Sequence, residues 1–277
     1  MEIPKRTLGR TGVEVTALGL GGEGVLRTFG REREACALIN RALDLGITYF
    51  ESARAYDGSE SYYGKALRER RNEIFLTSKS HARDKRGALA HLHQTLVNMC
   101  TDHLDLWQVH DVRTADDIEL IFGEGGAIEA FVEARQQGLV RFIGVTGHQD
   151  PAVIRACIER FPFDTVLLPV NPAEPAHNSF IDQVIRPAHE REMGIVGMKV
   201  YLRGLAARIP GHVGMEPFLR YALTQKVSTV IIGCDDLQQL EENVRFASDF
   251  HPMTAEEQQE LVRHVAPYAL QLMYYKQ

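Results

Sequence analysis

The sequence has few cysteines, no long apolar run and no block of one charge. Cys36, Cys100, Cys157 and Cys234 are far apart and lack C-x-x-C spacing, which argues against a zinc knuckle, an iron–sulfur site or a disulfide framework. No apolar run approaches the roughly 20 residues of a membrane span, and the first residues lack the apolar core of a signal peptide. We therefore expect a cytoplasmic protein with free thiols.

The net charge of −6 is spread over 277 residues without a long basic segment. Such a distribution argues against nucleic acid or an anionic membrane surface as the main partner, and it favours a small polar molecule. Hydrophobic residues make up 44% of the chain, enough to bury one large α/β core. Because no shift in composition divides the sequence, we expect a single domain over residues 1–277.

Eight short runs rich in Val, Ile and Leu predict strands, at residues 17–21, 47–51, 74–78, 104–109, 142–146, 165–170, 194–198 and 228–232. Helical patterns lie between them, at residues 31–45, 60–69, 86–99, 126–137, 151–160, 180–192, 216–225 and 237–247. Strands that are apolar on both faces are typical of a parallel sheet. Eight strand–helix units predict an α/β (β/α)8 TIM barrel. A short hairpin at residues 6–8 and 13–15 precedes it, and we expect this hairpin to close the barrel's bottom.

A doubly wound open sheet is the competing architecture. Gly19, Gly21 and Gly24 satisfy G-x-G-x-x-G directly after a strand. However, the next helix begins only near Arg31, and the acid about 20 residues further on, Asp44, falls inside that helix. The Tyr-x-x-x-Lys pattern of short-chain dehydrogenases is also missing from all nine tyrosines. The open-sheet interpretation is therefore the weaker one.

Four chemically capable residues follow consecutive predicted strands. Glu51 ends the second strand, Lys79 follows the third, His110 follows the fourth, and Tyr56 lies in the loop after Glu51. Parallel strands bring these positions to one rim of a barrel, where barrel enzymes carry their catalytic groups. Each residue alone is explained by a solvated charge or by packing. The four together indicate a catalytic site.

The combination suits the reduction of a carbonyl group. Tyrosine has a pKa of about 10 and is a slow proton donor at neutral pH; a nearby ammonium favours its ionised form. We expect Lys79 to lower the pKa of Tyr56 in this way and Glu51 to hold Lys79. His110 would hydrogen-bond the substrate oxygen. A cofactor must then supply hydride.

Sequence motifs along nearly the whole chain match one family. They are residues 6–12, 44–47, 50–53, 59–60, 64–67, 79, 105–106, 110 and 138–146. The sequence thereby resembles the aldo-keto reductase family. The resemblance implies an eight-stranded α/β barrel and nicotinamide-dependent, reversible reduction of aldehydes and ketones by an Asp-Tyr-Lys-His set. Tyr56, Lys79 and His110 match three of these residues, and Glu51 occupies the aspartate position.

The resemblance also implies a set of cofactor contacts for NADP or NAD. Thr146 and Asn171 match the nicotinamide amide contacts, Met198 ends the strand before the nicotinamide, and Lys199 or Arg203 would face the pyrophosphate. On the adenosine side the corresponding residues are Gly233, Asp235, Gln239, Glu242 and Asn243. Gly233 and Gln239 stand where the family often has Lys and Arg for the 2′-phosphate. We therefore expect use of both cofactors without a strong preference for NADPH.

Two other function classes stay open at this point. A metal-dependent barrel hydrolase could use His110, His148 and His177, although the His-x-His of its first strand is absent. A non-catalytic, nicotinamide-binding regulatory subunit would share the same motifs. The substrate, a small carbonyl compound, is not named by the sequence, because specificity depends on loops at residues 22–30, 110–126 and 171–179.

Overall fold

The computed structural model describes residues 2–276 and contains a closed barrel of eight parallel strands. Two short strands, β1 (Lys5–Thr7) and β2 (Glu14–Thr16), pair antiparallel ahead of the barrel. The barrel strands are β3 (Leu18–Gly24), β4 (Tyr49–Glu51), β5 (Phe75–Ser80), β6 (Leu104–Val109), β7 (Val140–Thr146), β8 (Thr165–Pro169), β9 (Gly194–Met198) and β10 (Thr229–Cys234). They follow one another around the ring, and β10 pairs with β3 to close it. The predicted (β/α)8 barrel with its amino-terminal hairpin is confirmed.

Helices surround the barrel. Over residues 2–276 the α-helices are α1 (Glu32–Asp44), α2 (Ser59–Leu67), α3 (Lys85–Asn98), α4 (Ala115–Phe122), α5 (Ala127–Gln136), α6 (Pro151–Arg160), α7 (Arg186–Glu190), α8 (Glu216–Thr224), α9 (Leu237–Ser248), α10 (Ala255–Val265) and α11 (Ala269–Leu272). A capping box at Thr254 begins α10, where the Thr254 side chain accepts from the N–H of Glu257. Among these described helices, none has the length and apolarity needed to cross a bilayer.

The hairpin fills one end of the barrel. Leu8 and Val15 are fully buried and belong to the same apolar cluster as barrel-interior side chains such as Tyr49 and Leu106. Gly9 between the two strands has a φ of +50°, and an added Cβ would lie 2.2 Å from the backbone nitrogen of Gly194. Only glycine fits so close to a strand. The hairpin therefore plugs the end of the barrel, as the sequence led us to expect.

The outer faces of the strands pack against the helices. Trp107 on β6 stacks on Phe131 of α5 with their ring centroids 3.7 Å apart, and both side chains are fully buried. Burying a side chain of this size stabilises the fold by about 1.5–3 kcal/mol. All residues of β5, β6, β8 and β9 are buried. Burial of both faces explains why most of these strands carry apolar runs without alternation, whereas residues 77–80 of β5 are polar and buried.

Helix α4 was missing from the sequence prediction, which treated the whole of residues 110–126 as a loop. Thr114 and Asp117 form a reciprocal capping box, and Ile118 and Ile121 bury one face of the helix. The Thr-x-x-Asp pattern before an apolar pair was the available signal, since a capping box marks a helix start. The loop that remains after β6 is correspondingly shorter.

Two predicted helices have different ends in the structure. The helix expected at residues 180–192 is a π-helical turn (Ile181–Ile185) followed by α7. Pro187 lies near the junction and has no N–H to donate one turn back, so a regular α-helix cannot run through it. The helix expected to reach residue 69 ends at Leu67, and a 3-10 segment follows (Arg68–Glu73).

Strand β3 is longer than predicted and contains the entire glycine motif. It continues to Gly24, so Gly19, Gly21 and Gly24 lie in the strand and not in a turn that begins a helix. This geometry excludes the dinucleotide fingerprint considered for the open sheet, whose glycines form a turn at a helix start. The extension instead carries Glu23 to the carboxyl rim of the barrel.

Candidate functional site

An acid and a lysine meet at the ends of neighbouring strands. Glu51 is the last residue of β4, Lys79 lies in β5, and the Lys79 ammonium contacts Glu51 Oε1 with both side chains almost fully buried. The second carboxylate oxygen of Glu51 accepts from the Gly22 N–H (2.8 Å), and Lys79 also donates to the Ser52 carbonyl (2.8 Å). A buried ion pair needs such added hydrogen bonds to offset the loss of hydration.

Tyr56 lies next to this ion pair. The Lys79 ammonium is 4.7 Å from the centroid of the Tyr56 ring, and the Arg27 guanidinium is 4.8 Å from it. His110 meets the ring edge-on, with centroids 5.9 Å apart. A Cβ on Gly22 would lie 2.9 Å from the Tyr56 ring, so a glycine at this position leaves room for the tyrosine. The structure thus brings together Glu51, Tyr56, Lys79 and His110.

Burial is the main cause of the pKa shifts of Tyr56, Lys79 and His110. It raises the pKa of Tyr56, and the negative charge of Glu23 raises it further. It lowers the pKa of Lys79 well below its usual value, while the carboxylate of Glu51 in contact favours the ammonium. Burial, then the charge of Lys79, lowers the pKa of His110. The expected lowering of the Tyr56 pKa by Lys79 is therefore outweighed, because desolvation of the phenolate is the larger effect.

Tyr56, Lys79 and His110 line a cavity of about 560 Å³, which we call the histidine cavity. Its lining comprises Glu23, Arg27, Ala55, Tyr56, Lys79, His81, Arg83, His110, Asp111, Arg113, Thr146, His148, Gln149, Met198, Lys199, Arg203, Tyr274 and Tyr275. His110 Nδ1 is buried in this wall, and no group among residues 2–276 forms a hydrogen bond with it. A neutral histidine at this position keeps one N–H to donate and one nitrogen to accept.

A second cavity of about 620 Å³ adjoins the first, and we call it the glycine cavity. Its lining includes Gly21, Gly22, Gly24, Glu51, Tyr56, Met198, Tyr201, Gly204, Gly233, Asp235, Gln239, Glu242, Asn243 and Phe246, together with Glu23, Lys199 and Arg203. A Cβ on Gly233 would lie 2.7 Å from the backbone of Glu23. The glycine at position 233 thus allows the end of β10 to pack closely against the end of β3.

Glu23 lies where the two cavities meet. Its carboxylate faces Lys199 (3.2 Å), Arg203 (3.5 Å) and Arg27 (3.2 Å). Lys199 and Arg203 both have φ values in the left-handed region, +58° and +54°. Such backbone conformations are uncommon for residues with side chains and cluster at functional sites. The loop after β9 is therefore held in a constrained shape that directs two cations to the junction.

A sequence model described as the Aldo/keto reductase family matches residues 17–208. The chain belongs to this family. It is an oxidoreductase that reduces aldehydes or ketones with a nicotinamide cofactor. The matched region contains all four candidate catalytic residues and most of the barrel.

Individual relatives agree over nearly the full length. An uncharacterized oxidoreductase of Bacillus subtilis is 24% identical over 94% of this chain and 96% of its own length. The L-galactose dehydrogenase of Arabidopsis thaliana is 25% identical over 91% of this chain and 90% of its own. An aldo-keto reductase of Bacillus halodurans, solved in its holo form, superposes with a TM-score of 0.81 at 25% identity, covering 95% and 96% of the two chains.

Against this family background, eight of the ten predicted cofactor residues line the glycine cavity: Met198, Lys199, Arg203, Gly233, Asp235, Gln239, Glu242 and Asn243. Thr146 lines the histidine cavity. Asn243 is largely engaged within the protein, since its Oδ1 accepts from the Tyr201 hydroxyl at 2.6 Å. Gln239 accepts from the Asp235 N–H at 2.9 Å. The residues predicted for the adenosine side therefore lie together along one cavity.

Asn171 is placed differently from the other nine. It is fully buried and lines neither cavity. Its Nδ2 donates to the Tyr275 hydroxyl (2.9 Å) and the Lys199 carbonyl (3.2 Å), and its Oδ1 accepts from the Ala173 N–H (3.0 Å). The sequence could not reveal this arrangement, because Tyr275 is 104 residues away along the chain.

The three histidines of the hydrolase alternative do not form one group. His110 and His148 line the histidine cavity, but His177 lines neither cavity, and its backbone carbonyl accepts from Lys276. Over residues 2–276, no three His, Cys, Asp or Glu side chains are grouped as a metal site requires. Together with the family, these placements disfavour the hydrolase, and the relatives named as oxidoreductases disfavour a non-catalytic subunit.

Sequence reasoning missed several residues of the two cavities. Glu23 lies inside the glycine motif and has Arg27 four residues later, a spacing that often forms an ion pair. Asp111 directly follows His110, and it has a left-handed φ of +55°. Tyr274 and Tyr275 reach the histidine cavity from the carboxyl-terminal segment. Only the Glu23–Arg27 spacing offered a readable signal.

Proposed function

We propose that a nicotinamide cofactor binds across the junction of the two cavities and that Tyr56 donates the proton to the carbonyl oxygen of the substrate. The observation that carries this assignment is the position of Tyr56, which lines both cavities beside Lys79 and His110. A proton donor at this junction reaches a substrate in one cavity and stays close to a cofactor that extends into the other. When bound, the cofactor supplies the hydride.

The lining of the glycine cavity fits such a cofactor. Lys199 and Arg203 present two cations at the junction, as a pyrophosphate requires. Asp235 and Glu242 would accept from ribose hydroxyls or the adenine amino group. In this assignment Asn171 positions Tyr275 and does not itself touch the cofactor.

Tyr56 is suited to keep its proton until a substrate arrives. Burial raises its pKa, so the phenol is neutral throughout the physiological range. The adjacent Lys79 ammonium stabilises the phenolate left after proton transfer, and Glu51 fixes that ammonium through contacts to both Lys79 and the Gly22 N–H.

His110 would position the carbonyl oxygen. Its lowered pKa keeps the imidazole neutral, so it donates one hydrogen bond without competing as an acid. Arg83 holds the backbone of His110 by donating to its carbonyl at 2.8 Å. Arg83 thus holds the backbone of His110 in place, and the His110 side chain lines the histidine cavity.

Two measurements test this function. Fluorescence titration with NADPH and with NADH should show saturable binding of both. Oxidation of the bound cofactor, followed by its absorbance, should then require an added aldehyde or ketone. Absence of any binding at millimolar cofactor, or binding without turnover on a broad carbonyl panel, would contradict the proposal.

We also place the protein in the cytoplasm and treat residues 1–277 as one folding unit. Cys36, Cys100, Cys157 and Cys234 are free thiols, which suits a reducing compartment. Cell fractionation checks the location. A single cooperative thermal transition, seen equally by two spectroscopic probes, checks the folding unit.

A further inference from the structure

Most residues that line the histidine cavity carry a polar or charged group. Among the described residues that line it, only Ala55 and Met198 have aliphatic side chains. The rest are charged, amide, hydroxyl or imidazole groups and three tyrosines. An apolar substrate would cover these groups without offering hydrogen bonds, and desolvating unpaired polar groups is costly. The cavity therefore disfavours hydrocarbon-like aldehydes and ketones.

The charges of the lining are also paired with one another. Arg83 donates to Asp117 (2.8 Å), and Arg113 contacts Asp111 (2.6 Å). Lys79 is paired with Glu51. Each of these three cations therefore already has a carboxylate partner.

Glu23 is the acidic residue at the junction of the two cavities. It faces three cations, so two positive charges are in excess at the junction of the cavities. Lys199 and Arg203 line both cavities, whereas Arg27 lines only the histidine cavity. The two negative charges of a bound pyrophosphate match Lys199 and Arg203, and Glu23 then remains with Arg27. An anionic substrate would have to disrupt one of the ion pairs.

We infer that the substrate is a neutral aldehyde or ketone that carries hydroxyl groups, and that Glu23–Arg27 and Asp111–Arg113 recognise those hydroxyls on two sides of Tyr56 and His110. A hydroxyl both donates and accepts, so it can bond a carboxylate and a guanidinium of the same pair. The inference rests on the proposed carbonyl reduction and adds the class of substrate.

The geometry of each pair supports this role. The Arg27 guanidinium lies over the Tyr56 ring at 4.8 Å, close to the proton donor. Asp111 follows His110 and is held in a left-handed conformation with φ of +55°. Its carbonyl accepts from Arg83 (2.7 Å), and its Oδ1 lies 3.1 Å from His148 Nε2. Several contacts thus fix an uncommon backbone conformation that holds a carboxylate beside His110.

Three probes separate the possible substrate classes: glyceraldehyde is neutral and hydroxylated, propionaldehyde lacks hydroxyls, and succinic semialdehyde is anionic. We expect kcat/KM for glyceraldehyde to exceed that for each of the other two by about tenfold or more, the effect of one well-placed polar contact. Equal or better use of propionaldehyde or of succinic semialdehyde would overturn the inference.

Variants then test the two pairs. Asp111→Ala and Arg27→Gln should each reduce the ratio of kcat/KM for glyceraldehyde to that for propionaldehyde by roughly tenfold, mainly through KM for glyceraldehyde. Arg155→Gln is the matched control, because Arg155 also forms an i,i+4 pair, with Glu159, but lies outside both cavities. It should leave the ratio unchanged.

A purely structural role predicts a different result, in which both substrates lose activity by the same factor and the ratio stays constant. That result in both variants would overturn the inference.

Calorimetric titration with the same three compounds measures binding without turnover. An inactive protein would therefore contradict the proposed reaction, while the order of affinities would still decide the class of substrate.

Discussion

The two adjoining cavities differ in the sign of the charge on their walls. Six basic side chains and two acidic ones line the histidine cavity, whereas two basic and four acidic ones line the glycine cavity. Glu23, Lys199 and Arg203 belong to both. The same ring of parallel strands supports both cavities, so the contrast arises from single residues at strand ends and in loops.

The contrast matches a division of chemical tasks. The basic cavity contains Tyr56, Lys79 and His110, where negative charge develops on a carbonyl oxygen during reduction. The acidic cavity contains Asp235 and Glu242, which suit hydroxyl and amino groups better than an additional phosphate. Substitutions that remove one charged or catalytic group at a time test this contrast.

The largest effect is expected from Tyr56→Phe. General acid catalysis contributes about 10²–10⁴-fold to a rate, so kcat should fall by at least about 100-fold. Cofactor affinity should change less than about twofold, because only the hydroxyl is removed. Steady-state kinetics and fluorescence titration measure the two quantities.

Tyr221→Phe provides the control for that experiment. Tyr221 is a buried tyrosine of α8 outside both cavities, and its variant should retain the turnover of the native enzyme. A Tyr56→Phe enzyme with most of its turnover would show that another group donates the proton.

The next largest effect concerns the stability of the ion pair. Lys79→Met leaves the Glu51 carboxylate buried without its cation, and breaking a buried pair typically costs about 3–5 kcal/mol. The free energy of unfolding, from urea titration, should fall by this amount. The double variant Glu51→Leu with Lys79→Met should recover most of the stability, because no charge remains buried, but it should not recover activity. A single variant as stable as the native protein would mean that Glu51 is solvated or protonated.

Much of the fold and of this ion pair could be predicted from the sequence. Continuous apolar strands and their spacing indicate a parallel barrel, because both faces of each strand are buried. Glu51, Lys79 and His110 fall at the ends of consecutive strands, and parallel pairing alone brings such positions together. Local sequence patterns were therefore enough to predict contacts between residues at the ends of consecutive strands.

The remaining features depend on contacts that no local pattern encodes. Tyr275 reaches Asn171 across 104 residues, and Lys199 reaches Glu23 across 176. The pKa of Tyr56 was expected to fall because a lysine is near, but its direction depends on how deeply the ring is buried. Burial and long-range pairing are properties of the packed chain, so the sequence could not supply them.

A smaller effect is expected from Glu23→Gln. Glu23 competes with a bound pyrophosphate for Lys199 and Arg203, so its neutralisation should tighten NADH binding by about threefold to tenfold, roughly 0.7–1.4 kcal/mol. The change should shrink at high salt, since it is electrostatic. Glu159→Gln, an exposed acid outside both cavities, should leave the affinity unchanged. Weaker binding in the Glu23 variant would indicate that this carboxylate organises the loop after β9 more than it repels phosphate.

The smallest effect concerns the choice between NADPH and NADH. The extra 2′-phosphate of NADPH needs a cation, but the adenosine side of the glycine cavity presents Asp235, Gln239 and Glu242. We predict that the two specificity constants on one substrate differ by less than about tenfold, or ~1.4 kcal/mol. Gln239→Arg should shift the ratio toward NADPH by several-fold, whereas Gln238→Arg, one position away and outside the cavity lining, should not. A native preference for NADPH of a hundredfold or more would mean that a basic residue elsewhere reaches the 2′-phosphate, and the acidic lining would then not determine cofactor choice.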